Sequence, residues 1–337
     1  MKPPAHCRLA TFGVFFLSVL LSFAGATNAE PLASWAPGGA KDRLVAFVET
    51  VATPGSTGFV TPEERLAVFD NDGTLLCEQP NYVQFQYGLD RLRELAPNHP
   101  EWTTLEPFRS ALEYRLTGLR REDDHAAFAA IVAATMDGLP AGETEQAARR
   151  WIASARNPAL EKPVRGTTYA PMRELLDYLR AHQFTVAIVS GGTFDFIRAY
   201  AKDFYGVEPE LVVGSRPKPG FQETSPGIWD VVLLPEEGTL CNGPGKPQEI
   251  LTRFGRRPIL AFGNSDGDVA MLQWTTSGPG PRLGLLLHHD DAEREFAYDR
   301  DSSVGRLSAG LDQAPQRGWI VVSMKKDWKT VFADDEN

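Results

Sequence analysis

Apolar residues recur along this chain with two periods, and the architecture changes where the period changes. Residues 66–69, Leu-Ala-Val-Phe, form a short unbroken apolar run that ends at Asp70, the pattern of a strand buried on both faces. Before it, residues 41–52 carry helical spacing, closed by Pro54, Gly55 and Ser56. From Pro80 to about Pro163 the pattern is helical throughout, with amphipathic segments over 82–95, 107–119, 122–136 and 143–155 and no strand between them. From Ala170 onward helix and strand alternate: a helix over 171–182, a strand over 185–189, a helix over 194–205 and a strand over 211–214. A hairpin over 227–234, a helix opened by Pro247, strands over 258–262 and 283–288, a strand over 319–324 and a short helix over 327–332 complete the series. Such alternation predicts an α/β fold, a mostly parallel sheet with helices on both faces, into which the helical block is inserted.

The first 29 residues follow a different rule. Lys2 and Arg8 precede an uncharged apolar run over 9–26, and small residues at Ala24, Ala26 and Ala29 offer a cleavage site. Residues 1–29 therefore read as a cleaved secretory signal, which places the mature chain in the periplasm or outside the cell, without stable membrane insertion. With 44 acidic against 34 basic residues the net charge is −10, and it becomes −12 once Lys2 and Arg8 leave with the signal. An acidic surface argues against nucleic acid as a partner, since phosphate backbones are bound by Lys and Arg, and favours a small molecule. Two cysteines remain, Cys77 and Cys241, each near a polar motif; the sequence leaves open whether they pair.

Three polar clusters directly follow apolar strand segments, and ligands of parallel α/β sheets bind at the carboxyl ends of strands. Asp70 and Asp72, with Gly73 behind them, can turn two carboxyl groups into one crevice, one to attack phosphorus and one to protonate a leaving oxygen; Asn-Asp-Gly is also ordinary turn chemistry. Ser190 precedes Gly191 and Gly192, so its hydroxyl and the backbone N–H groups after it can bind a phosphoryl oxygen. Asn264, Ser265, Asp266 and Asp268 follow the strand ending at Phe262 and offer oxygen ligands suited to a hard cation such as Mg²⁺. Lys246, in Gly-Pro-Gly-Lys-Pro, places an ammonium at a helix entrance; Lys218, in Pro-Lys-Pro, is its rival.

Together Asp70-Asn-Asp-Gly-Thr-Leu, Val189-Ser190-Gly-Gly, Gly245-Lys246-Pro and Phe262-Gly-Asn-Ser-Asp-Gly-Asp268 resemble the four ordered motifs of the haloacid dehalogenase superfamily, over roughly residues 63–290. The Ser-Gly-Gly turn followed by Phe194 is most similar to the phosphoserine phosphatase branch. The resemblance implies a Rossmann-like core over 30–79 and 166–337 and a helical cap over 80–165. It also implies Asp70 as a nucleophile forming an aspartyl-phosphate, Asp72 as acid/base, Ser190 with Gly191 and Lys246 as the phosphate-binding groups, and Mg²⁺ as cofactor. The ligand set would be drawn from Asp70, Asp72, Asn264, Asp266 and Asp268. Asn264 stands where relatives usually carry Asp, so Asn264 and Asp266 both remain candidates for the third protein ligand. The expected activity is phosphomonoester hydrolysis of a small phosphorylated metabolite; transfer to an alcohol acceptor and phospho-ligand binding without turnover are the alternatives.

Specificity is expected from residues between Cys77 and Arg165, with Glu78, Gln79, Gln84 and Arg165 as candidates. His288, His289, Asp290 and Asp291 resemble a metal cluster, but Asp at the end of a strand and the start of a helix reaching Phe296 reads better as a cap.

Overall fold

The alternation within each apolar run decides which residue meets which layer. In the computed structural model, which describes residues 31–113 and 122–333, the run at 66–69 is strand β1 (Leu66–Phe69), with every residue buried. Ala67 and Phe69 face one hydrophobic cluster, Leu66 and Val68 the other, as the two-residue period of a strand requires. Parallel neighbours flank β1 on both edges: β4 (Thr185–Thr193), with Phe69 opposite Ile188, and β7 (Leu260–Gly263), with Phe69 opposite Phe262. A strand so enclosed has no solvent-facing side, which is why its sequence carries no polar alternation.

The remaining strands are β2 (Arg156–Asn157), β3 (Lys162–Pro163), β5 (Val212–Ser225), β6 (Ile228–Thr239), β8 (Leu283–Asp290), β9 (Ala297–Tyr298) and β10 (Ile320–Ser323). The main sheet has eight strands in the order β10-β8-β7-β1-β4-β5-β6, with β9 paired to β8, and only β6 and β9 run antiparallel. The helices are α1 (Gly39–Ala52), α2 (Val83–Leu95), α3 (Phe108–Leu112), α4 (Glu122–Met136), α5 (Ala141–Ile152), α6 (Ala170–Ala181), α7 (Phe194–Tyr205), α8 (Gly245–Phe254), α9 (Val269–Thr276), α10 (Ala309–Arg317) and α11 (Met324–Asp327). Apolar stripes of α1, α6 and α7, among them Leu44, Leu175 and Ile197, cover one face of the sheet; Ile250 of α8, Leu272 of α9 and Ala314 of α10 cover the other. The expected α/β architecture is therefore present.

Helices α2 to α5 lie between β1 and α6 as a helical insertion, in which Phe85, Leu89, Leu92, Trp102 and Ile131 build a cluster of their own. The insertion also grips the core, because Tyr87 of α2 stacks on Phe196 of α7 at 5.1 Å.

Two short paired strands, β2 and β3, lie in the segment read as helical throughout, α10 was not expected, and three further elements differ from the sequence reading. The strand expected over 211–214 is only the start of β5; its first residues pair with β4, and the rest runs on as a long ribbon with β6 turning at Gly227 (φ +78°). Phe221 and Trp229 stack on that ribbon at 5.2 Å and are 70% and 58% exposed. The expected helix over 327–332 begins and ends earlier, as α11: Ser323 caps it by accepting from the Lys326 backbone N–H. Beyond it the chain is extended, bridging Trp328 to Trp35 and Phe332 to Tyr169. Third, no helix follows Asp291, which caps a turn by accepting from Glu293 and Arg294 N–H, while Asp290 accepts from Ser323 Oγ and Lys325 N–H. The residues read as a signal lie outside the described part of the chain. Among the described residues no helix is long and apolar enough to cross a membrane, and Cys77 and Cys241 are both buried free thiols.

Candidate active site

Strands β1, β4 and β7 end side by side, so the residues that follow them converge. The Asp70 backbone N–H still donates to Phe262 O (2.9 Å), holding the first residue of the loop in register with the sheet. The chain then turns: Thr74, Leu75 and Leu76 N–H all point to Asn71 O, and Gly73 takes φ +73°. A Cβ on Gly73 would also lie 2.1 Å from Asn264 Nδ2 and 2.3 Å from Glu78 Oε1, so glycine is required there both by torsion and by space.

Lys246 enters from the first turn of α8 and is 2% exposed. Its Nζ donates to Asp70 Oδ1 (2.6 Å), Asp268 Oδ1 (2.6 Å) and Val189 O (2.9 Å), filling all three donor directions of an ammonium. Burial opposes the charge on Lys246, but Asp268 and Asp70 outweigh it and raise its pKa. Lys218, the rival cation, lies on the exposed arm of β5. Burial, reinforced by Asp268, pushes the Asp70 carboxyl up to about 7 against the pull of Lys246. Half-buried Asp72 is also raised by burial.

Asp72 and Ser190 meet across the crevice, Ser190 Oγ lying 3.5 Å from Asp72 Oδ2 while accepting from Gly192 N–H at 3.0 Å. Gly191 is exposed at the turn, and its carbonyl accepts from Ser215 Oγ of β5 (2.7 Å). Gln84 of α2 completes the support: its Nε2 donates to Thr193 Oγ1 (2.6 Å) and its Oε1 accepts from Thr193 N–H (2.9 Å). The insertion is thus hydrogen-bonded directly to the Ser190 turn.

The fourth cluster divides its roles. Asp268, fully buried, gives one oxygen to Lys246 and with the other accepts from Asn264 N–H, Ser265 N–H and Ser265 Oγ. Asp268 thereby ties the loop to the lysine. Asp266 Oδ1 accepts from Ser308 and Gly310 N–H at the start of α10. Asn264 is the member that faces the nucleophile loop, with Oδ1 accepting from Thr74 Oγ1 (3.1 Å) and Nδ2 donating to Glu78 Oε1 (2.7 Å). Among the described residues no group of three or more His, Cys, Asp or Glu side chains is placed to hold a metal. Oxygens of Asp70 and Asp72 with the Asn264 amide oxygen are hard donors and fit a magnesium-type cation.

Of the specificity candidates, Glu78 and Gln84 reach the site; Gln79 turns to Val304 O, and Arg165 is exposed on a turn. Sequence reasoning missed what His289 does. Both its ring nitrogens are occupied, Nε2 by Gly73 O (2.8 Å) and Nδ1 by Glu295 (3.1 Å), so it braces the nucleophile loop from behind. Its place at the end of β8, on the same sheet edge as Asp70, was the available signal.

Solved structures resemble this chain's fold to different degrees. A conserved protein of unknown function from Anaerococcus prevotii DSM 20548 matches with a TM-score of 0.50 at 15% identity, over 88% of this chain and 96% of that one. A protein of unknown function from Bordetella pertussis Tohama I matches with a TM-score of 0.45 at 18% identity, over 77% and 98% of the two chains. A phosphoserine phosphohydrolase-like protein from Francisella tularensis subsp. tularensis SCHU S4 matches with a TM-score of 0.37 at 13% identity, over 75% and 98%. No curated protein matches the chain. The sequence model of the haloacid dehalogenase-like hydrolases matches residues 67–273, a stretch that runs from β1 through α9 and holds Asp70, Ser190, Lys246 and Asp268, so the chain belongs to the haloacid dehalogenase-like hydrolase family.

Proposed function

We propose that this chain is an exported, Mg²⁺-dependent phosphomonoester hydrolase of the phosphoserine phosphatase-like branch, acting on a small phosphorylated metabolite through an aspartyl-phosphate. The observation that carries the reading is the pairing of Asp70 with Lys246 next to Asp72 and Ser190: a nucleophile, its cation, a proton carrier and a hydrogen-bond donor for the phosphoryl group around one crevice. A bound Mg²⁺, held by Asp70, Asp72 and Asn264, would supply positive charge where the phosphoryl oxygens gather theirs.

The chain's own groups account for the two steps. An Asp70 carboxylate oxygen bonds to phosphorus as the ester oxygen departs, and Asp72 gives that oxygen its proton. Burial raises the pKa of Asp72, the direction that favours a proton carrier. In the second step Asp72 takes a proton from water as the water oxygen bonds to phosphorus, and the bond to Asp70 breaks to free inorganic phosphate. Ser190 Oγ and the N–H groups of its turn hold the phosphoryl oxygens, while Lys246 holds the Asp70 carboxyl and supplies positive charge beside them. Residues 80–165 would act as the cap that sets specificity and excludes water, with 30–79 and 166–337 as the core.

The test is phosphate release from a panel that includes phosphoserine and p-nitrophenyl phosphate, with and without Mg²⁺, by the chain lacking residues 1–29. Turnover that needs Mg²⁺ and disappears in Asp70→Asn is expected. An inert wild-type protein, or an Asp70→Asn protein that is equally active, contradicts the proposal.

A further inference from the structure

Tyr200 of α7 is buried in the core, packed among the rings of Phe196, Phe204 and Tyr205. A phenol held so deeply needs a partner for its oxygen, and it finds one in the nucleophile loop: Asn71 Nδ2 donates to Tyr200 Oη at 3.0 Å. Asn71 is itself fully buried and stands between Asp70 and Asp72. Its backbone carbonyl gathers the N–H groups of Thr74, Leu75 and Leu76, so the turn closes around this one residue.

The Asn71 side chain also hydrogen-bonds the Asp72 carboxyl. An amide NH₂ has two hydrogens to give, and here one goes to Tyr200 and the other to Asp72. On the opposite side of Asp72, Ser190 Oγ lies 3.5 Å from Oδ2, a separation that makes it a weak hold on the carboxyl. The plane of an amide turns easily about its last torsion, and Asn71 Oδ1 has no hydrogen-bond partner among the described residues. The contact that sets this plane is therefore the bond to Tyr200. Without it the amide is free to turn its oxygen toward Asp72, oxygen against oxygen.

We infer that Tyr200 is a positioning residue: by fixing the Asn71 amide it holds the Asp72 carboxyl where that group meets the leaving oxygen. The inference rests on the hydrolase reading above. A proton donor works only within hydrogen-bond reach of the atom it protonates, and a misplacement of about 1 Å costs up to about 100-fold in rate.

The leaving group separates the positioning of an acid from a general loosening of the loop. p-Nitrophenol departs readily as its anion, whereas phenol needs its proton, and the two aryl phosphates have nearly the same shape. The ratio kcat/KM reports the steps up to formation of the aspartyl-phosphate, so the later attack of water does not enter. With Mg²⁺ present, Tyr200→Phe should lower kcat/KM for phenyl phosphate about tenfold more than for p-nitrophenyl phosphate. Equal losses on the two esters, or no loss on either, overturn the inference. In an Asn71→Leu background Tyr200→Phe should change neither value by more than about twofold, because Tyr200 acts through Asn71; a further selective loss there overturns the inference as well. Should Tyr200→Phe fail to fold, the double variant, in which both partners are apolar and leave no buried group unpaired, decides alone. A selective loss on phenyl phosphate then supports the role, and an equal loss on both esters overturns it. A wild-type protein inert toward both esters contradicts the hydrolase reading itself, and the inference falls with it.

Discussion

Asp195 lies in the first turn of α7, where a helix N-terminus ordinarily welcomes a carboxylate. Here burial dominates and pushes its pKa up to about 7, against the pull of Arg198, and Oδ2 has no hydrogen-bond partner among the described residues. In the unfolded chain the same carboxyl titrates at about 4. Between those values the native state keeps a proton that the unfolded state has lost, so the favourable contribution is complete below about pH 4 and disappears as the pH rises to about 7. Asp195→Asn removes this dependence. Denaturant unfolding should show the variant gaining on wild type by up to about 4 kcal/mol as the pH rises from about 4 to about 8. A difference that does not change with pH would contradict the assignment. At this scale the candidate site residues Asp70, Ser190 and Asn264 were legible because each follows an apolar run. Lys246 was legible only as one of two proline-flanked lysines; its burial against Asp70 and Asp268 decides the matter. That Glu78 faces Asn264 was not legible, since a glutamate near such a loop looks the same in sequence whether it meets water, substrate or an amide.

At the scale of elements, the helical insertion acts on the site through one side chain. Gln84 occupies both the N–H and the hydroxyl of Thr193, three residues beyond Ser190. Gln84→Leu preserves bulk but leaves the buried Thr193 N–H without its acceptor, at a cost of about 1–3 kcal/mol, and loosens the turn proposed to bind phosphate. A lower denaturation midpoint together with a reduced kcat/KM is expected; a variant with unchanged kcat/KM would show that the insertion does not position that turn. Strongly periodic segments such as α6 and α7 were readable because their apolar stripe is paired with one sheet face. Helix α10 was not, since Pro315 inside it reads as a breaker, although the helix persists with Ala314 buried against the sheet. The ribbon of β5 and β6 was readable only at its turn: Arg216, Lys218, Gln222 and Glu223 of β5 are exposed, so no apolar alternation marks them as strand.

Across the whole molecule, the sheet gathers residues from positions 70 to 289 of the sequence onto one edge, and the braces behind the nucleophile loop come from its far end. His289 holds Gly73 O, and α10 holds Asp266 through Ser308 and Gly310 N–H. Long-range braces of this kind leave no local pattern in sequence, whereas the order of the four motifs does. The central claim is that Asp70 carries the phosphoryl group and Asp72 is needed to release it. Its most direct test is to mix the Asp72→Asn protein with p-nitrophenyl phosphate and Mg²⁺ and to map any covalent phosphoryl group by peptide mass spectrometry. A burst of p-nitrophenol approaching one per chain, with the phosphoryl group on Asp70, is the predicted result. Continued turnover without a burst, or a phosphoryl group on another residue, would contradict it.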